Sequence, residues 1–180
     1  MEIINGGVCA AEGFVANGVH CGIRKNKTKR DLSLIFSEVP ANAASVYTTS
    51  LVKGAPLTVT KQHLADGKAQ AIIICNSGNA NTCNADGIQI AKKVSKLAAD
   101  ALSLKPEDIV IASTGVIGLP LEIAPFASGI PALVSGLSED TVPPGISNVT
   151  IETFTDAAIL HFESERLFEG NAVIEWGRAG

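Results

Sequence analysis

Two short apolar runs, each followed directly by glycine and small polar residues, constrain the fold of this chain most. Residues 71–75 read Ala-Ile-Ile-Ile-Cys and precede Asn-Ser-Gly-Asn-Ala-Asn at 76–81, whereas residues 109–112 read Ile-Val-Ile-Ala and precede Ser-Thr-Gly-Val-Ile-Gly at 113–118. Unbroken apolar runs of this length are typical of strands buried on both faces. A glycine just beyond such a strand lets backbone N–H groups approach a ligand closely. We therefore predict two buried strands, each followed by a loop that presents N–H groups to an oxyanion or a carboxylate.

Helical periodicity follows each of these segments. Apolar residues recur every three or four positions over residues 90–102, after the N-cap candidates Asn84 and Asp86, and again over residues 130–137, where Pro131 fits a first turn. Alternation, β-branched residues and turn residues predict a strand or hairpin at 13–23 and further strands at 31–37, 45–50, 57–60, 148–155, 157–162 and 172–176. The predicted fold class is α/β (α+β layered), with sheets packed against helices in a single domain over residues 1–180.

Composition and charge argue against several classes of function. The net charge is −4 and aromatic residues make up 4% of the chain, so we expect no nucleic-acid partner. A membrane span needs about 18 apolar residues, and every apolar run in the chain is much shorter. No secretion signal opens the chain, so we expect a cytoplasmic protein without a membrane partner. The basic run at 24–30 is interpreted as a solvated loop, with a binding patch as the alternative.

Cysteine and histidine spacing does not favour a metal site. Cys9, Cys21, Cys75 and Cys83 follow no CxxC pattern, so we predict free thiols that act as small buried apolar side chains, and no metal. The three histidines, at 20, 63 and 161, are interpreted as surface or structural residues. Nucleotide-binding loops and the Gly-x-Ser-x-Gly elbow of serine hydrolases are also absent from the sequence.

Several ordered motifs resemble one enzyme family. Val-Pro-Ala-Asn-Ala-Ala at 39–44, Cys-Asn-Ser-Gly-Asn-Ala-Asn-Thr-Cys at 75–83 and Ala-Ser-Thr-Gly-Val-Ile-Gly-Leu-Pro-Leu at 112–121 resemble the ornithine acetyltransferase family, also called glutamate N-acetyltransferase. Gly-Gly-Val at 6–8 and the glycine-bounded segment 13–22 fit the opening of the same family. The resemblance covers about residues 3–138.

The resemblance implies a fold, an activity and partners. It implies the ornithine-acetyltransferase/DmpA-like fold and a cytoplasmic enzyme of arginine biosynthesis that transfers acetyl from N-acetylornithine to glutamate through an acyl-enzyme. The family precursor cleaves itself, and the new N-terminal threonine of its β chain is the nucleophile, activated by its own α-amino group. The oxyanion hole carries over to Thr114 and Gly115, and the α and β chains are expected to form α2β2 or larger oligomers. No cofactor is implied, and acetyl-CoA as a second acetyl donor is left open.

The sequence departs from the family pattern over residues 139–180. The chain contains no Ala-Thr dipeptide, which marks the cleavage point in the family, so we expect the nucleophile on a separate β chain. Thr150 and Thr153 are the candidates for a substrate-binding threonine. The alternatives are a truncated or rearranged non-catalytic relative and a small-anion-binding module. For Asn76, Asn79 and Asn81, we predict hydrogen bonds that hold the turn, ahead of the alternative of direct substrate contact.

Overall fold

The described strands form one mixed sheet. The computed structural model describes residues 7–10, 12–139, 159–164 and 172–175. Five of its six strands follow the order β4-β3-β2-β5-β6, and β1 pairs with β2 beside β5. Their bounds are β1 Phe14–Val19, β2 Leu32–Ser45, β3 Lys68–Asn79, β4 Ile109–Val116, β5 Ile159–Ser164 and β6 Ala172–Glu175.

Strand β2 organises the sheet because it is long enough to serve two neighbours on one side. Its first part, from Leu32 to Ser37, pairs antiparallel with β1, and its last part, from Ala41 to Ser45, pairs antiparallel with β5. Along its other side β2 pairs antiparallel with β3, with a shift of register between Phe36 and Ala41. Strand β3 in turn pairs parallel with β4, as expected for two strands joined through a helix.

Three helices pack on one face of the sheet. They are α1 Ala55–His63, α2 Gly87–Leu102 and α3 Ala124–Ser135, with short 3₁₀ helices at Gly7–Ala10, Leu64–Asp66 and Pro106–Asp108. The order β3, α2, β4, α3 confirms the two predicted strand and helix units. None of the helices in the described part of the chain is long and apolar enough to cross a membrane.

The apolar run at 71–75 is buried on both faces of the sheet, as predicted. Ile73 lies in a core cluster with the helix residues Val94 and Phe126, whereas Ile72 and Ile74 lie in a second cluster on the opposite face. Full burial of an isoleucine side chain contributes about 1.5–3 kcal/mol to stability. This run therefore fixes which part of β3 lies at the centre of the molecule.

Two strand predictions in the first half of the chain are wrong. Residues 57–60 belong to helix α1, which begins just before Pro56 and is held by tertiary hydrogen bonds. The buried Thr60 hydroxyl donates to the Ile111 carbonyl at 2.9 Å and accepts from the Ile111 N–H at 3.1 Å. Residues 46–50 form no strand, because β2 ends at Ser45.

The second predicted helix begins earlier than its periodicity indicates. Helix α3 starts at Ala124 with Pro125 in the first turn, so Pro131 lies inside the helix rather than at its start. In α2, Asp86 occupies the N-cap position as predicted, although its side chain makes no capping hydrogen bond. Two of the three late strands are present at slightly shifted positions, and the strand predicted at 148–155 lies outside the described residues.

Candidate functional site

The two glycine-bearing segments lie side by side at one edge of the sheet. Strands β1 and β3 are both antiparallel to β2, and β3 is parallel to β4. The carboxyl ends of β1, β3 and β4 therefore meet at the same edge. We call this edge, formed by residues 20–31, 76–84 and 113–121, the carboxyl edge.

The sequence predicted a loop after each apolar run, but in the structure the two glycine-bearing segments are continuations of strands β3 and β4. Strand β3 runs on to Asn79 and β4 to Val116, with Gly78 opposite Gly115 after a shift of register between Cys75 and Gly78. A shift of this kind bends the strand and re-aims the groups beyond it. The backbone of these two segments is thus paired strand to strand and does not form two separate loops.

Gly115 has a backbone conformation that only glycine adopts readily. Its φ is +133°, and a Cβ at this position would lie 2.6 Å from the Asn79 nitrogen and 2.6 Å from the Gly78 carbonyl carbon. Backbone atoms cannot move aside as the end of a side chain can. Thr114, the other residue of the predicted oxyanion hole, is 8% exposed. The sequence therefore places a nearly buried threonine and an obligate glycine next to each other at the carboxyl edge.

Asparagine side chains bind neighbouring backbone and hold the carboxyl edge together. Asn79 Nδ2 donates to the carbonyls of Leu119 at 2.9 Å and Pro120 at 3.1 Å, and its Oδ1 accepts from the Asn81 N–H at 2.8 Å. Asn81 Nδ2 donates to the carbonyl of Gly87 at 2.9 Å. Asn79 and Asn81 are thus occupied in holding the turn, as predicted. The side chain of Asn76 lies outside what the structure describes.

A buried carboxylate that the sequence analysis missed anchors the loop from β1 to β2. Asp31 is fully buried, and it accepts hydrogen bonds from the backbone N–H groups of Cys21 at 2.8 Å, Gly22 at 3.1 Å and Arg24 at 2.9 Å. His20 Nδ1 lies 3.0 Å from Asp31 Oδ2. Burial favours the neutral acid, but hydrogen bonds from the backbone of Arg24 and Cys21 outweigh it and lower the pKa of Asp31. The sequence signal was a single acid that closes a basic run, directly before an alternating strand.

The cysteines are free thiols, and only one of the four is buried. Cys75 is buried, Cys9 and Cys21 are half-buried, and Cys83 is exposed, so the prediction of buried apolar thiols is wrong for Cys83. Burial raises the pKa of Cys75 to about 11, and burial together with Asp31 raises that of Cys21 to about 12. Both thiols are therefore protonated near neutral pH and are poor nucleophiles.

The histidines and acids of the described residues form no group of three or more metal-ligating side chains, with or without cysteine. His63 Nδ1 lies 2.8 Å from the Ile109 carbonyl and His20 packs against Asp31, so both are structural, as predicted. The predicted substrate contacts Thr150 and Thr153 lie outside the described residues, and so does the side chain of His161.

Apolar side chains are exposed next to the Thr114–Gly115 pair. Val116, Ile117 and Leu119 are each about half exposed, at 52%, 49% and 51%. Ile88, which opens α2 close to the same edge, is 42% exposed. A run of apolar side chains in solvent is typical of a surface that another chain or a ligand covers.

Comparisons with known proteins agree with this architecture. The model of the ArgJ family matches residues 15–170, so the match continues past residue 138, the end of the stretch that the resemblance covers. The arginine biosynthesis bifunctional proteins ArgJ of Caldanaerobacter subterraneus subsp. tengcongensis and Symbiobacterium thermophilum are each 42% identical to this chain, over 92% and 91% of its length. The chain spans about two fifths of the length of these relatives, 41% in both cases.

Two solved structures resemble the chain over nearly its whole length. A crystal structure of arginine biosynthesis bifunctional protein ArgJ from Bacillus halodurans has a TM-score of 0.74 at 29% identity, and covers 97% of this chain and 90% of its own. Ornithine acetyltransferase complexed with ornithine, from Mycobacterium tuberculosis, has a TM-score of 0.73 at 29% identity, with 92% and 96% covered. These structures confirm the predicted fold class, and with the family match they show that the chain belongs to the ArgJ family.

Proposed function

We propose that this chain is the α chain of a glutamate N-acetyltransferase that transfers acetyl from N-acetylornithine to glutamate in cytoplasmic arginine biosynthesis. The observation that carries the proposal is the Thr114–Gly115 pair at the carboxyl edge, where Gly115 has a φ of +133° and Thr114 is almost buried. Fixed hydrogen-bond donors in a partly dry site are what a developing oxyanion requires. Family membership and the likeness to an ornithine acetyltransferase support the choice of reaction.

The first half of the reaction forms an acetyl-enzyme on a threonine of the β chain. The hydroxyl of this N-terminal threonine attacks the acetyl carbonyl carbon, and its own α-amino group, with an unperturbed pKa near about 8, accepts the proton. The carbonyl electron pair moves onto oxygen, where Thr114 and Gly115 stabilise the negative charge. Collapse of this intermediate breaks the bond to nitrogen, and ornithine leaves after taking the proton back.

The second half of the reaction repeats the chemistry with glutamate as the nucleophile. Its amino group attacks the acetyl ester, and a second oxyanion develops at the same place. The amino group of glutamate gives up a proton to the α-amino group of the threonine. The carbon–oxygen bond to threonine then breaks, the threonine oxygen takes that proton, and N-acetylglutamate leaves. Because each donor of an oxyanion hole lowers the barrier by about 3 kcal/mol, the Thr114–Gly115 pair contributes to both steps.

The proposal assigns the nucleophile to a second chain, since the described residues of the site include no activated nucleophile. The curated relatives are more than twice as long as the stretch they share with this chain, whereas the matched chains in the solved structures are nearly covered by it. This difference supports an α and a β chain, assembled as α2β2 or larger. The exposed apolar side chains of Val116, Ile117 and Leu119 support a partner at the carboxyl edge. The word bifunctional in the relatives' names supports acetyl-CoA as a second donor.

The proposal is tested by pairing the chain with its β partner. Isotopically labelled acetyl on N-acetylornithine is followed into N-acetylglutamate by mass spectrometry, for the chain alone and for the assembled pair. We expect label transfer from the pair and none from the chain alone. Transfer by the chain alone would place the nucleophile on it, and glutamate or phosphate binding without transfer by the pair would favour an anion-binding module. Either result contradicts the proposal.

A further inference from the structure

The loop from β1 to β2 brings a dense group of positive charges to the carboxyl edge. We call residues 20–31 the basic hairpin. It carries five cationic side chains within seven residues and no acid among them, although the net charge of the chain is −4. These side chains are Arg24, Lys25, Lys27, Lys29 and Arg30.

Arg24 differs from the lysines of this hairpin because its backbone is fixed and its side chain is partly covered. The backbone N–H of Arg24 donates to the buried Asp31 carboxylate at 2.9 Å. The side chain of Arg24 is half-buried, whereas Lys25, Lys27 and Lys29 are exposed. Arg24 is therefore held in place, and the neighbouring Lys25 provides a solvated cation for comparison.

The stem of Arg24 packs at the strand end that faces the proposed oxyanion hole. A Cβ added to Gly78 would lie 3.5 Å from Arg24 Cγ and would collide with the side chain of Ile23. Gly78 is the register partner of Gly115 on the neighbouring strand. Because paired strands lie about 4.8 Å apart, the stem of Arg24 packs on the strand directly beside the one that carries the Thr114–Gly115 pair.

The guanidinium of Arg24 has no ion-pair partner among the residues that the structure describes. The nearest carboxylate in sequence, Asp31, is turned inward and accepts hydrogen bonds from backbone N–H groups. A planar guanidinium with free donors matches the two oxygens of a carboxylate. The structure thus holds an unpaired cation whose stem packs at the strand end beside the proposed oxyanion hole.

The two amino acids of the proposed reaction differ in the charge of their side chains. Ornithine carries an ammonium group, whereas glutamate carries a carboxylate, and both present the same α-amino and α-carboxylate groups. A cation near the reacting acetyl group repels the first side chain and attracts the second. Its presence favours release of ornithine from the acetyl-enzyme and binding of glutamate in its place.

We propose that Arg24 binds the side-chain carboxylate of the acceptor amino acid and so selects glutamate. The proposal rests on the proposed function. Arg24 is assigned to acceptor binding and not to bond breaking, since nothing in its position requires it to touch the acetyl group. The expected mark of this role is a loss of affinity confined to acceptors that carry a side-chain carboxylate.

The test compares glutamate with glutamine, which has the same shape and no side-chain charge. In the assembled enzyme, Arg24→Gln should lower kcat/KM for glutamate about ten- to a hundredfold, as for the loss of a charge-assisted hydrogen bond. The value for glutamine and the rate of acetylation at saturating N-acetylornithine should stay within about twofold. The KM for N-acetylornithine should fall, because its side-chain ammonium is no longer repelled. Arg24→Lys should recover part of the loss, and Lys25→Gln, which removes the same charge from an exposed neighbour, should behave as wild type.

Several other results would contradict a role of Arg24 in binding the acceptor carboxylate or the function on which it rests. An equal loss for glutamate and glutamine, or slower acetylation by N-acetylornithine, would show a structural role and overturn the proposal. An equal loss in Lys25→Gln would show a general effect of charge and overturn it too. If acetyl-CoA-dependent turnover alone were reduced, the cation would serve phosphate groups, which also overturns the proposal. Absence of acetyl transfer by the wild-type pair would refute the proposed function itself.

Discussion

The two glycine-bearing strand ends look alike in sequence but need their glycines for different reasons. At the end of β3, a side chain on Gly78 would meet Ile23 and Arg24, whose side chains belong to a surface hairpin. At the end of β4, a side chain on Gly115 would meet the backbone of Gly78 and Asn79, and its φ is +133°. Gly78 thus leaves room for side chains that pack on the end of β3. Gly115 instead allows a backbone conformation at the end of β4 that other residues rarely adopt.

The largest effect is expected for Gly115→Ala. The change places a Cβ 2.6 Å from two backbone atoms in a conformation that alone costs about 1–3 kcal/mol for a residue other than glycine. We expect a loss of at least about 3 kcal/mol in the free energy of unfolding and loss of measurable acetyl transfer. Urea unfolding and the labelled-acetyl assay measure the two quantities. A variant with wild-type stability would show that the β4 end is not rigid.

Thr114→Ala should affect the chemistry more than the fold. Removing one donor from an oxyanion hole lowers kcat about 10²- to 10³-fold, while the truncation of one threonine costs about 1 kcal/mol of stability. Thr114→Ser, which keeps the hydroxyl, is the matched control and should retain most of the activity. Steady-state kinetics of the assembled enzyme with saturating N-acetylornithine and glutamate provide kcat. Equal rates for the alanine variant and wild type would remove Thr114 from the oxyanion hole.

Asn79→Ala should lower stability more than it lowers kcat. The side chain of Asn79 makes three hydrogen bonds, to Leu119, Pro120 and Asn81, and their loss should cost about 2–3 kcal/mol of stability. Because these partners hold the turn, kcat should fall less than about tenfold. Asn84→Ala is the control, since its amide also donates to the Leu119 carbonyl, at 2.8 Å, through a hydrogen bond that is exposed to solvent. A fall in kcat as large as that of Thr114→Ala would mean that the β3 end takes part in catalysis directly.

Asp31 makes the stability of the loop between β1 and β2 depend on pH. Its folded-state pKa is lowered, so its contribution to stability is complete above the unfolded value near about 3.9 and is lost as the pH falls through the lower folded value. Asp31→Asn should therefore cost about 2 kcal/mol at pH 7, and this difference from wild type should shrink below about pH 4. Urea unfolding at several pH values measures it. A difference that stays constant down to pH 2 would contradict the account.

The smallest effect is expected for Gly78→Ala. The added methyl group meets the side chain of Ile23, which can move with the hairpin, so we expect a cost of about 1 kcal/mol. In an Ile23→Ala background, the same Gly78→Ala change should cost almost nothing, since the atoms that collide are absent. A cost as large as that of Gly115→Ala, measured in the same urea titration, would erase the difference between the two strand ends.

Much of the fold was predictable because the strongest signals are local. The apolar run at 71–75 and the helical periodicity at 90–102 each determine an element without reference to the rest of the chain. Residues 57–60 were assigned wrongly because their β-branched side chains favour a strand, whereas the hydrogen bonds of Thr60 with Ile111 select a helix. Such a contact joins residues far apart in sequence, so no local pattern reports it.

The candidate site was predictable only in part, for a similar reason. Thr114 and Gly115 were found through a family resemblance, but the backbone crowding around Gly115 depends on the register between β3 and β4. Asp31 was missed because its partners are backbone N–H groups, which every residue except proline carries and which no sequence motif marks.

The most direct test of the central claim is the rate at which the β-chain threonine becomes acetylated in a single turnover. N-acetylornithine is mixed with excess assembled enzyme in the absence of glutamate, and mass spectrometry follows acetyl on the N-terminal threonine over time. We predict that Thr114→Ala in this chain slows the acetylation about 10²- to 10³-fold while the two chains stay assembled. Acetylation at the wild-type rate in that variant would contradict the claim that this chain supplies the oxyanion hole.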